Sequence, residues 1–108
     1  MAMMRHVSVF RLKPEYRTPE IIDSVAAQLR ALPQALSTIT HCEIGVKPFP
    51  MPLESPDGAV QFYDLIQIIT FASEADCMAY PASQAHQAFL AASSRYMEQV
   101  IGLDYPVE

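Results

Sequence analysis

The sequence predicts an α+β fold, a ferredoxin-like four-stranded antiparallel sheet with its helices on one face, and three observations carry that prediction. The elements read strand, helix, strand, strand, helices, strand, which is two βαβ halves. Phe62 to Phe71 is an apolar run rich in Ile and aromatics, the mark of a central strand. A composition 51% hydrophobic and 18% charged supports one packed core, so residues 1–108 are read as a single domain.

The first strand is Arg5 to Leu12, where His6, Ser8, Phe10 and Leu12 alternate with Val7, Val9 and Arg11. Thr18, Pro19 and Glu20 supply an N-cap, a first-turn proline and a first-turn acid. The helix they open buries Ile21, Ile22, Val25, Leu29 and Leu32, and Pro33 is expected to interrupt it. A weaker strand spans Ile39 to Val46, with Gly45 marking a bulge or strand end. Lys47 to Gln61 carries Pro48, Pro50, Pro52 and Pro56 and reads as a long stiff loop. Ser73 and Asp76 resemble a capping box for a short helix ending near Pro81. Ser83 caps the next helix, which is expected to reach about Gln99 and to align His86, Phe89, Leu90, Ser93, Tyr96 and Met97 on one stripe. Val100 to Tyr105 is the last strand, with Gly102 as its breakpoint.

The third strand is apolar on both faces, with Tyr63, Leu65, Ile69 and Phe71 on one and Phe62, Ile66 and Ile68 on the other. Helices cover only one face, so the other is expected to bury itself against a second copy, giving a homodimer.

Charge and motifs narrow the function. Seven Lys and Arg against twelve acids, a net charge of −5, exclude a basic nucleic-acid surface. The longest uncharged run, Cys77 to Ser94, is broken by Pro81 and dotted with polar residues, so no membrane span is expected. The first residues lack a secretion-signal pattern, and a cytoplasmic protein with reduced Cys42 and Cys77 is the expectation. Three unclustered glycines make no phosphate loop, and His6, His41 and His86 show no metal-ligand spacing. Neither cofactor nor metal is therefore expected. Without a GxSxG elbow or a recognisable Ser, His, Asp constellation, a serine hydrolase is not expected either. What remains is polar residues on apolar faces: His6 beside Phe10, His86 beside Phe89, and Tyr80 before Pro81. Such a histidine is either a hydrogen-bonded structural residue or, near an Asp or Tyr, a general acid and base.

Four segments resemble the stress-responsive dimeric α+β barrel (Dabb) family over nearly the whole chain. They are Arg5-His6-Val7-Ser8-Val9-Phe10-Arg11-Leu12, Phe62-Tyr63-Asp64-Leu65 through Thr70-Phe71, Ala79-Tyr80 leading to Ala85-His86-Gln87-Ala88-Phe89, and Leu103-Asp104-Tyr105. The resemblance implies a ferredoxin-like protomer and a dimer formed through the sheets. Similarity to the olivetolic acid cyclase branch implies a cofactor-free cyclase or lyase for a carbonyl, polyketide-like substrate. In that reading His86 is the acid and base, Tyr80 holds the substrate carbonyl and Asp104 orients His86. His6, Ser8 and Phe10 line the pocket, and Val25, Leu29, Gln67 and Ile69 complete its wall. Ser83-Gln84-Ala85-His86 replaces the family's His-Pro-Ala-His, and Gln67 puts an amide where that branch has an apolar side chain. A non-catalytic barrel binding a small apolar ligand or serving as a stress-related scaffold is the alternative, and a cofactor-free monooxygenase the third.

Overall fold

A computed structural model of the chain describes residues 2–48 and 62–108. The proline-rich loop therefore lies, for residues 49–61, outside the described residues. Strand β1 (Met4–Leu12) buries Ser8, Phe10 and Leu12 and leaves Val7, Val9 and Arg11 half-covered, as its alternation requires. Helix α1 (Pro19–Ala35) is opened by Thr18, whose hydroxyl accepts from the Ile21 N–H at 3.3 Å and so satisfies one orphan donor of the first turn. Its buried stripe is Ile22, Val25, Ala26, Leu29 and Leu32. Contrary to expectation Pro33 does not interrupt it; the helix continues to Ala35 and closes where the Leu36 N–H meets the Leu32 carbonyl at 2.9 Å. Proline removes one hydrogen bond, and near the end of a helix anchored by a full apolar stripe that loss is tolerated.

Strands β2 (Ile39–Val46) and β3 (Leu65–Phe71) pair antiparallel. Gly45 lies opposite Ile66, and a Cβ there would sit 2.6 Å from Ile66 Cγ2, so the glycine permits a close approach. β3 starts at Leu65 rather than Phe62 because Asp64 is engaged otherwise. Its carboxylate accepts from the Leu12 N–H at 2.8 Å and from Arg17 Nε at 3.3 Å, which ties the end of β1 to the start of β3. Phe62 consequently lies off the sheet, under the guanidinium groups of Arg11 and Arg17 at 5.5 and 5.0 Å.

Helix α2 (Glu74–Ala79) is capped by the Ser73 hydroxyl on the Asp76 N–H at 3.2 Å, and a 3₁₀ turn over Tyr80–Ala82 follows. Helix α3 (Gln84–Ser93) is capped by Ser83 on the His86 N–H at 3.2 Å. It stops at Ser93, well short of Gln99, and after a 3₁₀ turn the chain enters β4 (Met97–Pro106). Pairing decides that boundary: β1 offers a full edge, and β4 follows it from Met97 opposite Leu12 to Pro106 opposite Met4. The strand runs straight through Gly102, which is no breakpoint.

The sheet order is β2-β3-β1-β4 with every neighbouring pair antiparallel, the ferredoxin-like arrangement. The core packs Phe10, Leu12, Leu65, Ile69 and Phe71 of the sheet against the stripe of α1, Cys77, Tyr80 and Phe89. The opposite face carries Val7, Val9, Ile66, Ile68, Ile101, Leu103 and Tyr105, none of them in that core; Leu103 is 66% exposed. Among the described residues no helix is long and apolar enough to cross a membrane.

Candidate functional site

Residues opposite one another on antiparallel strands share a face, so register alone builds two cross-sheet rows. One row runs Gly102, Ser8, Gln67, Ile44; the next runs Asp104, His6, Ile69, Cys42. Gly102, Ser8 and Gln67 of the first row and His6 of the second form the floor of a cavity of about 290 Å³, with Tyr80, His86, Phe89 and Leu90 above it and Met97 and Val100 at its side. That volume lies near the lower end of small-molecule sites.

Tyr80 organises the polar part. Its ring makes edge contacts with His6 at 5.4 Å and with His86 at 4.7 Å, and packs on Phe71 at 5.5 Å. Burial pushes its phenol up to about 12 while the approaching Gln67 side chain pulls the other way. The hydroxyl therefore stays protonated near neutral pH and serves as a donor.

His86 sits in the first turn of α3, where Nδ1 lies 3.0 Å from the Pro81 carbonyl. A carbonyl can only accept, so Nδ1 carries the proton and Nε2 keeps its lone pair. Burial holds the imidazole below its ordinary 6.5; the Pro81 bond opposes this and His6 adds to it. The result is a neutral base in the cavity wall.

Asp104 is not the partner of His86. It accepts from His6 Nδ1 at 2.6 Å, and His6 Nε2 accepts from Ser8 Oγ at 2.7 Å. The expectation that Asp104 orients His86 is thus corrected: β4 register sets Asp104 directly opposite His6, whereas His86 is held by its own helix entry. A Ser, His, Asp constellation, absent from the sequence as a motif, is assembled across two strands. Asp104 also lies by the buried Cys77, whose thiol is pushed up to about 11 by burial first and then by the carboxylate's charge and hydrogen bond.

Gln67 is 1% exposed, and its Nε2 has no hydrogen-bond partner. An unpaired buried amide donor costs free energy, and this one belongs to the cavity lining.

Of the residues singled out from the sequence, His86, Tyr80, His6, Ser8, Phe10 and Gln67 line one cavity, and Asp104 joins it through His6. Val25, Leu29 and Ile69 do not line it; they are fully buried in the core because their faces meet between α1 and the sheet. Sequence reasoning missed Phe89, Leu90, Ser94, Met97, Val100 and Gly102 as lining residues. It also missed the bond between His6 and Ser8, although their two-residue spacing on a strand places both on one face. Among the described residues no cluster of His, Cys, Asp or Glu has the form of a metal-ligand set.

A ferredoxin-like sheet with a partly polar cavity beneath its helices defines a class of small α+β barrel proteins. The Stress responsive A/B Barrel Domain (Dabb) family profile matches residues 4–107, and the chain belongs to that family. Among solved structures it resembles a dimeric protein of unknown function with a ferredoxin-like fold from Bacteroides fragilis, at 20% identity and a TM-score of 0.77, covering 99% of this chain and 98% of that one. The hydroxynitrile lyase of Passiflora edulis is similar at 20% identity and 0.78, covering 99% and 94%. A Dabb family protein from Mesorhizobium loti matches at 22% and 0.74 over the whole of both chains. A search of curated proteins finds no match.

Proposed function

We propose that this Dabb protein is a cofactor-free enzyme, a cyclase or lyase acting on a carbonyl compound, that works as a homodimer joined through its open sheet faces. The observation that carries the chemistry is the fixed tautomer of His86, neutral and with Nε2 unprotonated, in the same cavity as the protonated Tyr80 hydroxyl. Removing a proton from carbon beside a carbonyl needs one base and a donor for the developing enolate oxygen. His86 Nε2 takes the proton; Tyr80 O–H and the unpartnered Gln67 N–H hold the oxygen. The enolate carbon then adds to a second carbonyl of the same chain, whose oxygen takes the electron pair and recovers the proton from His86 Nε2, which closes a ring, or the reverse sequence splits an adduct. The apolar wall of Phe10, Phe89 and Val100 suits a substrate with a hydrocarbon tail and strengthens both polar contacts by excluding water. A solved likeness to a lyase and the resemblance to a cyclase branch support the class of reaction.

The test is hydrogen–deuterium exchange at the α-carbon of a linear β-keto thioester, followed by NMR. Wild type is expected to catalyse exchange and His86→Ala, still folded, to lose at least about a hundredfold. An equal rate in His86→Ala, or no exchange above buffer in wild type, leaves the alternative, a barrel that binds an apolar ligand without chemistry.

A further inference from the structure

We infer that Ser8 is a nucleophile, activated by His6 and Asp104, and that the cavity accepts acyl groups from esters or thioesters with short apolar acyl chains. This goes beyond the proton-abstraction reading, because it uses a different base and makes a covalent intermediate.

Three observations carry it. The first is the relay itself. His6 Nδ1–H donates to the Asp104 carboxylate at 2.6 Å, which fixes Nε2 as the acceptor for the Ser8 hydroxyl at 2.7 Å. That is the order of contacts by which a carboxylate orients an imidazole and the imidazole deprotonates an alcohol. The second is Gln67, the row neighbour of Ser8 on β3, whose buried Nε2 is unpartnered. A donor already desolvated in the cavity lining, beside the Tyr80 hydroxyl, can be turned to a developing oxyanion at little further cost. The third is Gly102, the row neighbour on the other side. A Cβ there would stand in ordinary contact, 3.4 Å from His6 Cε1 and 3.6 Å from Ser8 Oγ, so anything larger than a methyl would crowd the hydroxyl and the glycine keeps that side open. Ser8 is buried from bulk water yet part of the cavity lining.

The chemistry balances without a further reactant except water. Ser8 Oγ bonds to the acyl carbon as its proton passes to His6 Nε2, and the carbonyl electron pair moves onto the oxygen held by Gln67 N–H. Collapse restores the carbonyl and breaks the bond to the alcohol or thiol oxygen or sulfur, which leaves with the proton from His6. Water repeats both steps on the acyl-serine, releasing the carboxylic acid and restoring Ser8.

The experiment treats the full-length protein with a fluorophosphonate bearing a butyl chain, then reads intact mass and maps the modified peptide. One adduct per chain on Ser8 is expected, absent in Ser8→Ala. His6→Ala is expected to label at least about a hundredfold more slowly. Asp104, as a positioning residue, is expected to act on the rate alone: Asp104→Asn lowers the maximal labelling rate at an unchanged half-saturating probe concentration, and Asp104→Glu restores part of it. Mapping the wild-type adduct depends on no variant's folding and reads Ser8 independently of α-carbon exchange at His86. An adduct on another residue, no adduct at saturating probe, or unchanged labelling in folded His6→Ala overturns the inference.

Discussion

Gln67 and His86 each carry a cost that folding alone does not explain, and each cost can be measured. Gln67 buries an amide whose N–H bonds to nothing, and an unsatisfied buried donor costs about 1–3 kcal/mol. Replacing it with leucine, similar in volume, removes that donor from the core. Gln67→Leu is therefore expected to raise the unfolding free energy by about 1 kcal/mol in urea titrations while slowing α-carbon exchange; a loss of stability would make the amide structural. His86 bears its cost in pH dependence. Its imidazole is held below 6.5 by burial, so the unfolded chain takes up the proton first. The contribution to stability is full above 6.5 and disappears as pH falls through the lowered native value. Urea midpoints measured from about pH 7 to about pH 5 should fall in wild type and fall less steeply in His86→Gln. By the same shift, the base form persists into more acidic solution than a solvated imidazole allows, so exchange activity should too.

At the scale of elements, local chemistry and pairing divide the work. Thr18, Ser73 and Ser83 each accept the backbone N–H that their place before a helix predicts, so helix starts were readable from single residues and their neighbours. Helix ends were less so: Pro81 marks where α2 stops at Ala79, but nothing between Ser93 and Met97 breaks a helix, and β4 begins there because β1 has a free edge to fill. The site divides in the same way. His6, Tyr80 and His86 stood out as polar residues on apolar faces and Ser8 came only with the family resemblance, but the partner of Asp104 is set by the register of strands whose paired residues are 98 apart in sequence, which no local pattern encodes. Register also makes β4 testable. Gly102→Ala adds a Cβ in ordinary contact with His6 and Ser8 and should retain reactivity. Gly102→Val should displace the imidazole and cost about a hundredfold in labelling of Ser8, with the thermal midpoint as the control for folding. Asp64 anchors the other end of β1 through the Leu12 N–H; Asp64→Ala leaves that buried donor and Arg17 without the carboxylate, and is expected to lower stability by about 2 kcal/mol in urea.

For the whole molecule, the two faces of the sheet ask for different partners. One is covered by α1, α2 and α3 and holds the core and the cavity. The other presents Val7, Val9, Ile66, Ile68, Ile101 and Leu103, and among the described residues no helix covers them; a contiguous apolar surface of that kind is unusual on a lone protomer. A two-fold pairing of these faces would bury each residue against its own symmetry mate or a neighbour, leaving no apolar face from which longer assemblies grow. Leu103 offers a direct test, since it is exposed in the protomer and lies on that face opposite Val7. In a dimer, Leu103→Glu buries a carboxylate against apolar side chains, which should raise the dissociation constant at least about a hundredfold. Light scattering coupled to size exclusion should then give twice the protomer mass for wild type and the protomer mass for Leu103→Glu, with circular dichroism unchanged. Equal masses for the two would mean that this face is not the dimer interface. Because the cavity opens on the other side of the sheet, its residues belong to one protomer, so a monomeric Leu103→Glu should still label at Ser8.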